Sequence, residues 1–542
     1  MNLITDPWIP ICRQSGLREQ IAPWQITEKD DPVVALNTPR PDFNGAMLQF
    51  LIGLLQTAFI PSSEEEWLYR LENPPSPEDL KESFIKYVPV FNLNSGTGAF
   101  MQDFENVGGK FWPIEKMLME SPGENTEKFN KDHFFKRNQF EKICESCAAM
   151  ALFSFQQNTQ GFGSGHRVNL RGKGYLTTLV VIDENFESDF ERKLWANIWL
   201  NVLEQDWFYR DGCSEGNKEI SDIFPWMNKT RISTAIKVDK KTVYIEGGVG
   251  TYPESVNRLQ LFWSMPCRIK LQIQNNDCKC SLCNKSTKSV VNGFNIQKYG
   301  VDYLGDWRHP LTPHFLDKNG SGKTFKVPIN GVHYQHWLGL SQKTDFQIPA
   351  IVAERYLIRA NSYKEQFRLF CFGYAIDGEN KARCWYETTY PLISVPDQIR
   401  LAFAGNVQIL ADASAEIAGY VRSCVKEAWF KRPGDAKGDV SYLAQNFYQH
   451  TQPLFFGAVN QLKTALVEGS EKGVLQNWHS ILVNAALKQF DYWAANRGFV
   501  DGNPRRVVDA RKKLLNLIHS KKIRAALMLP NQTKKSNKEK AA

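Results

Sequence analysis

The chain has 542 residues, 42% hydrophobic and 12% aromatic with 15 Trp, which excludes a disordered protein and predicts a folded one of two or more domains. Its formal net charge is +8, but residues 504–542 hold 12 Lys+Arg against 2 Asp+Glu while the remainder holds 54 against 56, so the basic excess is confined to the C-terminus. The 11 Cys, the lack of an apolar run near the ~20 residues of a membrane span and an opening, MNLITDPWIPI, without a charged-then-apolar leader exclude a disulfide framework and a membrane protein and predict the cytoplasm.

In chain order, residues 1–12 read as an extended segment with Trp8 between two prolines. Phe43–Phe59 (FNGAMLQFLIGLLQTAF) is a buried helix, apolar on more than one face. Short helices are expected over Glu64–Glu72 and Pro77–Lys86, a loop over Phe91–Asp103 and a helical turn over Ile114–Met119.

Residues 131–174 put three chemistries side by side. His133, Phe134, Phe135, Lys136 and Arg137 form an aromatic-basic patch, able to stack on bases or equally to be core and solvated surface. Cys144 and Cys147 form a CxxC that opens the helical run AAMALFSF. Gly161, Phe162, Gly163, Ser164 and Gly165 form a glycine loop that leads to His166, Arg167, Arg171 and Lys173. Glycine lets backbone N–H groups approach a phosphate, and cations at the edge would add charge, although GxGxG alone is a weak signal.

Downstream, Tyr175–Ile182 reads as a strand, Phe186–Leu203 as an amphipathic helix and residues 206–260 as irregular. Cys267–Ile273 alternates like a strand. A second CxxC, Cys280 and Cys283, follows on a polar loop. Two such pairs make a tetrahedral four-thiolate zinc site easy to build, and four cysteines leave no open position, so its role is structural. The 133 residues between Cys147 and Cys280 are far outside zinc-ribbon spacing. Cys278 lies beside the second pair, and the six scattered cysteines, Cys12, Cys213, Cys267, Cys371, Cys384 and Cys424, read as small buried hydrophobes.

Asn292–Tyr303 is a strand with Lys298 near its middle. His309, His314, His333 and His336 offer a rival metal site, but no carboxylate cluster stands at ligand spacing. Phe367–Ile376 is a strand ending at Asp377-Gly-Glu-Asn380, with a second strand from Cys384, a hairpin with a polar tip. After Pro391 four apolar stripes, Arg400–Phe430, Leu454–Val467, Leu475–Trp493 and Val507–Leu527, describe a four-helix bundle. The basic face of the last helix suits a phosphate backbone or simple solubility, and the tail over 531–542 is expected to be disordered. The fold class expected is α+β: a mixed α/β domain over 1–393, a four-helix bundle over 394–530 and the tail.

Taken together, MNLITDPWIP, TPRPDFNGAMLQF, FMQD before PIEKML, CESCAAMALF, GFGSGHRVNLRGKG, KCSLCN, NGFNIQKY and FGY…KARCWYE stand in an order that resembles the large-subunit (CasA) family of the type I-E CRISPR surveillance complex Cascade. The resemblance covers nearly the whole chain. It implies a non-enzymatic subunit that reads the short PAM in double-stranded DNA and starts opening the duplex. It also implies that the subunit helps to hold the displaced non-target strand and docks a helicase–nuclease, alongside other Cascade subunits and a guide RNA.

Carried over by residue, the family's glycine loop falls on Gly161–Gly165 and its lysine finger on Lys298. Its zinc ligands fall on Cys144, Cys147, Cys280 and Cys283, and its loop near the guide RNA and PAM on Asp132–Arg137. The strand-parting wedge falls on the hairpin tip, at Gly378, Glu379 or Asn380 according to the gap. Asn380, beside Lys381, is preferred because an amide can bond base edges whereas Glu repels phosphate. The competing readings are a metal-dependent nuclease using the histidines and a purely structural scaffold subunit.

Overall fold

The computed structural model describes residues 1–130, 136–161, 163, 165–183, 193–210, 219–239, 241–318, 320, 322–359, 367–435, 438–495 and 503–530. The expected disordered tail at 531–542 lies outside them, as do Cys213, the first part of the Phe186–Leu203 helix, and His133, Phe134, Phe135, Phe162 and Ser164. The chain divides into two compact units. The first comprises Met1–Ile329 and Asp345–Thr389, the second Asn330–Thr344 and Tyr390–Ala542. This differs from a single cut near 393, because the short segment 330–344 goes with the helices.

The first unit is mixed α/β. Its central helix, Pro41–Ala58, starts at a proline that supplies a ready helical φ, with Asp42 in the first turn facing the N-terminal dipole. The apolar residues on all its sides find partners on all its sides. Phe50 meets Trp8, Phe91, Phe100, Phe153 and Trp263 edge-on, at ring separations of 5.3–6.1 Å. Gly53 is required by contact, since a Cβ there would lie 2.8 Å from Phe262. Helix Glu64–Glu72 has the bounds read from the sequence, with the Ser63 hydroxyl accepting from Glu66 N at its start.

Three of the sheets among the described residues bear on the site. The N-terminal one has the order Arg18–Ile21, Ile9–Arg13, Val33–Leu36. Another places Phe367–Ile376 between Thr177–Ile182 and Ala382–Pro391. The third is a long hairpin, Arg268–Lys279 with Ser286–Gln297. Its second strand also pairs with Lys110–Pro113 near its end and with Ile143–Cys144 near its middle. Lys298 therefore stands one residue past the strand's end rather than inside it. Residues 206–260 hold short elements, including the hairpin Ala235–Val238 and Lys241–Tyr244.

Among the described residues the second unit contains four long helices, Asp397–Trp429, Tyr442–Glu468, Glu471–Ala495 and Pro504–Ile518, and two short ones, Trp337–Ser341 and Lys521–Ala526. Trp478 donates to Leu410 O at 3.1 Å, and Trp429 to Trp493 O at 3.0 Å, tying the first and third helices together. Ser414, which breaks the apolar stripe, is buried but donates to Leu410 O at 2.7 Å, so its hydroxyl is satisfied. The largest differences from the sequence reading are in the second and fourth helices. The expected Leu454–Val467 helix begins earlier, at Tyr442, and carries Pro453 inside it, and the expected Val507–Leu527 helix stops at Ile518 before Ser520 caps a new turn.

Replacing Phe50 by Ala removes a side chain with no solvent exposure that touches five aromatic rings. We expect a loss of about 3–5 kcal/mol in the first unit, read as a lower urea midpoint.

Candidate metal centre and nucleic-acid interface

Two turns bring the four predicted cysteines together. Cys144 ends the short Ile143–Cys144 strand and stands at the N-cap of helix Glu145–Asn158, whose first turn holds Cys147. Cys280 and Cys283 lie in the turn of the long hairpin. Ser281 N donates to Lys142 O and Asn284 N to Cys280 O, and Asn284 takes the left-handed conformation that tightens the turn. The four sulfurs lie within 4.8 Å of one another, and Cys144 Sγ is 3.8 Å from Cys283 Sγ.

A tetrahedral ion with bonds of about 2.3 Å to sulfur sets its ligands about 3.8 Å apart, so the cage has the size such an ion needs. Contact with Cys144 holds the Cys283 thiol down to about 7 and pulls Cys280 down as well, whereas contact with the same Cys144 pushes Cys147 up. Uneven sharing of protons is how four adjacent thiols avoid four adjacent charges, and a dication allows all four to ionise. Cys267, Cys371 and Cys424 are buried as expected, but Cys384 is exposed and Cys12 half-buried.

The glycine loop and Lys298 meet. Tyr299 N donates to Gly165 O at 2.7 Å, and a Cβ on Gly165 would lie 3.0–3.2 Å from the Lys298 stem. Gly161, Gly163 and Gly165 have φ of +75°, +120° and +87°, the left-handed side that glycine adopts without strain. Gly163 is exposed, and a Cβ there would meet nothing within 4 Å. Lys298 is exposed too. The result is an open turn of bare main chain with an ammonium group beside it. Burial, then Lys298, lowers the pKa of His166.

The other cations of this stretch are differently placed. Arg171, read as a charge edging the loop, is 3% exposed. Its guanidinium lies 3.7 Å from the Tyr175 ring centre and donates to Gln49 Oε1 at 2.6 Å and Tyr175 Oη at 2.7 Å. Burial lowers its pKa to about 10. Arg167 is half-buried, donates to Ser233 Oγ at 2.7 Å and pairs with Asp302 at 3.1 Å. Ser233 Oγ donates to Gly300 O at 2.5 Å, so this network ties the loop's stem to the segment after Lys298. Sequence reasoning missed it, because its members are 66 and 135 residues from Arg167 and share no motif.

At the tip of the other hairpin, Asp377 Oδ1 accepts from Glu379 N and Lys381 N, which folds the turn. Asn380 is left-handed at φ +62° and accepts from Lys173 Nζ at 2.9 Å. Lys381 pairs with Glu379 at 2.7 Å. Thus the tip is tied to the strand-ward end of the glycine stretch. In the aromatic-basic patch, Lys136 is exposed and Arg137 donates to Glu127 O at 3.0 Å.

Comparison with known proteins gives one consistent result. The sequence model of the family described as CRISPR-associated protein Cse1 matches residues 2–489. Among solved structures, CasA (Cse1) of Thermus thermophilus is 16% identical with a TM-score of 0.65, covering 96% of this chain and 99% of its own. Cse1 of Thermobifida fusca is 13% identical with a TM-score of 0.67, covering 97% and 98%. A chain of a CRISPR RNA-guided surveillance complex is 13% identical with a TM-score of 0.61, covering 96% and 99%. At these identities the structures show a shared fold.

The four histidines offered as a rival metal set form no shared cluster, although His333 N donates to His336 Nδ1 at 3.3 Å. Among the described residues, the four cysteines form the one group of His, Cys, Asp or Glu close enough to hold an ion. His309 accepts from Leu311 N at 3.1 Å, and His333 stacks on Tyr448 at 4.6 Å. Burial pushes His314, His333 and His336 down to about 4, and His309 well below its ordinary value. The unfolded chain therefore takes up protons below about pH 6.5 that the folded chain refuses until about 4. Stability is full above that window and falls as pH drops through it. Melting temperature measured from pH 8 to pH 4.5 should decline below about 6.5, and a flat profile would contradict neutral buried histidines.

Proposed function

The chain belongs to the CRISPR-associated protein Cse1 family, and from that premise we propose that it is the large subunit of a type I-E Cascade complex that recognises the PAM in double-stranded DNA. The observation that carries this reading is the pairing of Lys298 with the open glycine turn through the Tyr299–Gly165 hydrogen bond. A minor groove about 6 Å wide offers base-edge acceptors and little room for side chains. Bare main chain can enter where a Cβ would clash, while one long ammonium side chain donates to those acceptors. The same groove distinguishes base pairs poorly, so a reader of this kind tolerates related PAM sequences.

The hairpin tip over Asp377–Lys381, with Asn380 foremost, parts the strands beside the PAM. The unstacking costs a few kcal/mol per step, offset by contacts elsewhere. The subunit then helps to hold the non-target strand. Asp132–Arg137 lies toward the guide RNA, and of these residues Lys136 and Arg137 are among those described. The partners are the other Cascade subunits, the guide RNA, PAM-bearing DNA and a helicase–nuclease docked on this subunit. The protein is not itself an enzyme and works in the cytoplasm. The PAM-reading domain corresponds to the first unit, Met1–Ile329 with Asp345–Thr389, and the long helices belong to the second.

Zinc is the ion that suits four thiolates at this spacing. Cys144, Cys147, Cys280 and Cys283 would hold it, and its contribution is a cross-link between the hairpin turn and the start of helix Glu145–Asn158.

In the assembled complex, Lys298→Ala should weaken binding to a PAM duplex by about 1–3 kcal/mol and reduce its preference over a duplex without PAM, measured by titration of labelled DNA at fixed salt. Unchanged affinity would favour a purely structural scaffold. Elemental analysis should find about one zinc per chain. The pair Cys280→Ser and Cys283→Ser should lose the metal and lower the melting temperature, whereas equal stability without metal would remove zinc from the account.

A further inference from the structure

The glycine stretch and the second hairpin touch backbone to backbone. Past the open turn, Gly172 N donates to Asn169 O at 2.8 Å, and Gly174 is left-handed at φ +60°. A Cβ on Gly174 would lie 2.7 Å from Ile376 Cγ1 and 3.1 Å from Tyr374 O. One on Gly373 would lie 2.5 Å from Tyr175 O. Each chain thus puts a glycine where the other comes closest, and a larger residue at either place would push them apart. Val327 N donates to Gly174 O at 2.8 Å and ties a third segment to the crossing. Lys173 directly precedes this contact, so its backbone is fixed against the hairpin, and its side chain is half-buried.

Charges at the hairpin tip are sorted into pairs. Arg383 meets Asp377 at 2.6 Å and Lys381 meets Glu379 at 2.7 Å, while Asp377 Oδ1 accepts from two backbone N–H groups. Lys173 Nζ donates instead to a neutral group, Asn380 Oδ1, at 2.9 Å. Asn380 is exposed and left-handed at φ +62°. The terminal torsion of an asparagine is broad and roughly two-fold, so an amide on an exposed turn can present either end. An ammonium group carries donors and no acceptor, so it bonds the carbonyl end alone and turns Nδ2, with its two N–H donors, away from itself. The edges of bases are rich in acceptors, and in the minor groove A·T pairs offer acceptors only. The end of the amide that faces the duplex therefore matters.

We propose that Lys173 is a positioning residue for Asn380: it holds the amide by its carbonyl so that the strand-parting tip presents N–H donors to the acceptor edges of the first base pair beside the PAM. The assignment rests on the reading of Asn380 given above and deepens it by naming what sets the orientation of that side chain. Lys173 stands eight residues after Gly165 in one run of chain, so the group that orients the tip is carried by the same stretch as the open turn.

A lysine could also act by touching a phosphate, and the test separates the two roles. The assembled complex is mixed with a PAM duplex carrying 2-aminopurine at the first pair beside the PAM, and the rise in fluorescence reads the rate of strand opening. The same duplex cross-linked between strands at that pair cannot open, so its affinity reads PAM binding alone. Lys173→Met should slow opening about tenfold and leave the cross-linked affinity and the melting temperature unchanged, and Lys173→Arg, which keeps a donor, should restore the rate. In an Asn380→Ala background Lys173→Met should have no further effect, because a positioning residue acts only through its partner. Additive effects, or a salt slope of cross-linked binding lower by about one, would make Lys173 a phosphate contact and overturn the proposal. Slow opening by Asn380→Ala with normal opening by Lys173→Met removes the positioning role alone. Normal opening by Asn380→Ala removes the reading of Asn380 itself, and the positioning role with it.

Discussion

The hydrogen bond from Tyr299 N to Gly165 O closes a frame whose opposite corner is the sulfur cluster. Two arms leave the cluster. One is helix Glu145–Asn158, fourteen residues or about 21 Å at 1.5 Å each, followed by the run into the glycine turn. The other is strand Ser286–Gln297, twelve residues or about 40 Å at 3.3 Å each. They pack together on the way, with Phe155 and Phe294 in edge contact at 6.0 Å. Because the strand's register is fixed at Val290–Val291 by Ile143–Cys144, Lys298 has one position relative to the turn. A slip of one residue would turn its side chain to the other face. The cluster thus acts at a distance, setting a geometry it does not touch.

Charge in this region follows burial, not sequence. Four cations stand within eight positions of the glycine loop or one strand away, and they have four different fates. Arg171 is buried among amides, hydroxyls and a ring, Arg167 is paired with Asp302, and Lys173 holds the hairpin tip at Asn380. Lys298 is exposed. A guanidinium with several neutral acceptors survives burial because its pKa starts far above neutrality, whereas a lysine so placed would lose its proton more readily. Arg171, one of the cations read from the sequence as edging the loop, is therefore an internal strut.

Much of this was legible in advance, for identifiable reasons. Pro41–Ala58 and the four long helices have strong apolar periodicity, and Phe367–Ile376 has both β-branched or aromatic content and a turn to end it. The two cysteine pairs announced themselves by chemistry, although the separation between them gave no geometry. What escaped were contacts between residues far apart in the chain, such as Arg167 with Ser233 and Lys173 with Asn380. The hairpin Ala235–Val238 and Lys241–Tyr244 escaped because its turn lacks an Asn-Gly or Asp-Gly signal. The role given to each loop came from family resemblance, since composition and spacing alone leave a glycine turn and a lysine ambiguous.

The second unit is assembled from separated pieces of chain. Tyr334, in the segment 330–344, stacks on Phe455 at 4.2 Å and shares a hydrogen bond with Thr451 at 2.9 Å, while Tyr390 donates to Val332 O. During synthesis Tyr334 leaves the ribosome more than a hundred residues before Phe455, roughly 6–24 seconds at ordinary elongation rates. Over that interval an aromatic segment destined for the helices has no helices to join. It must wait exposed or be sheltered by whatever lies nearby until the later helices are made.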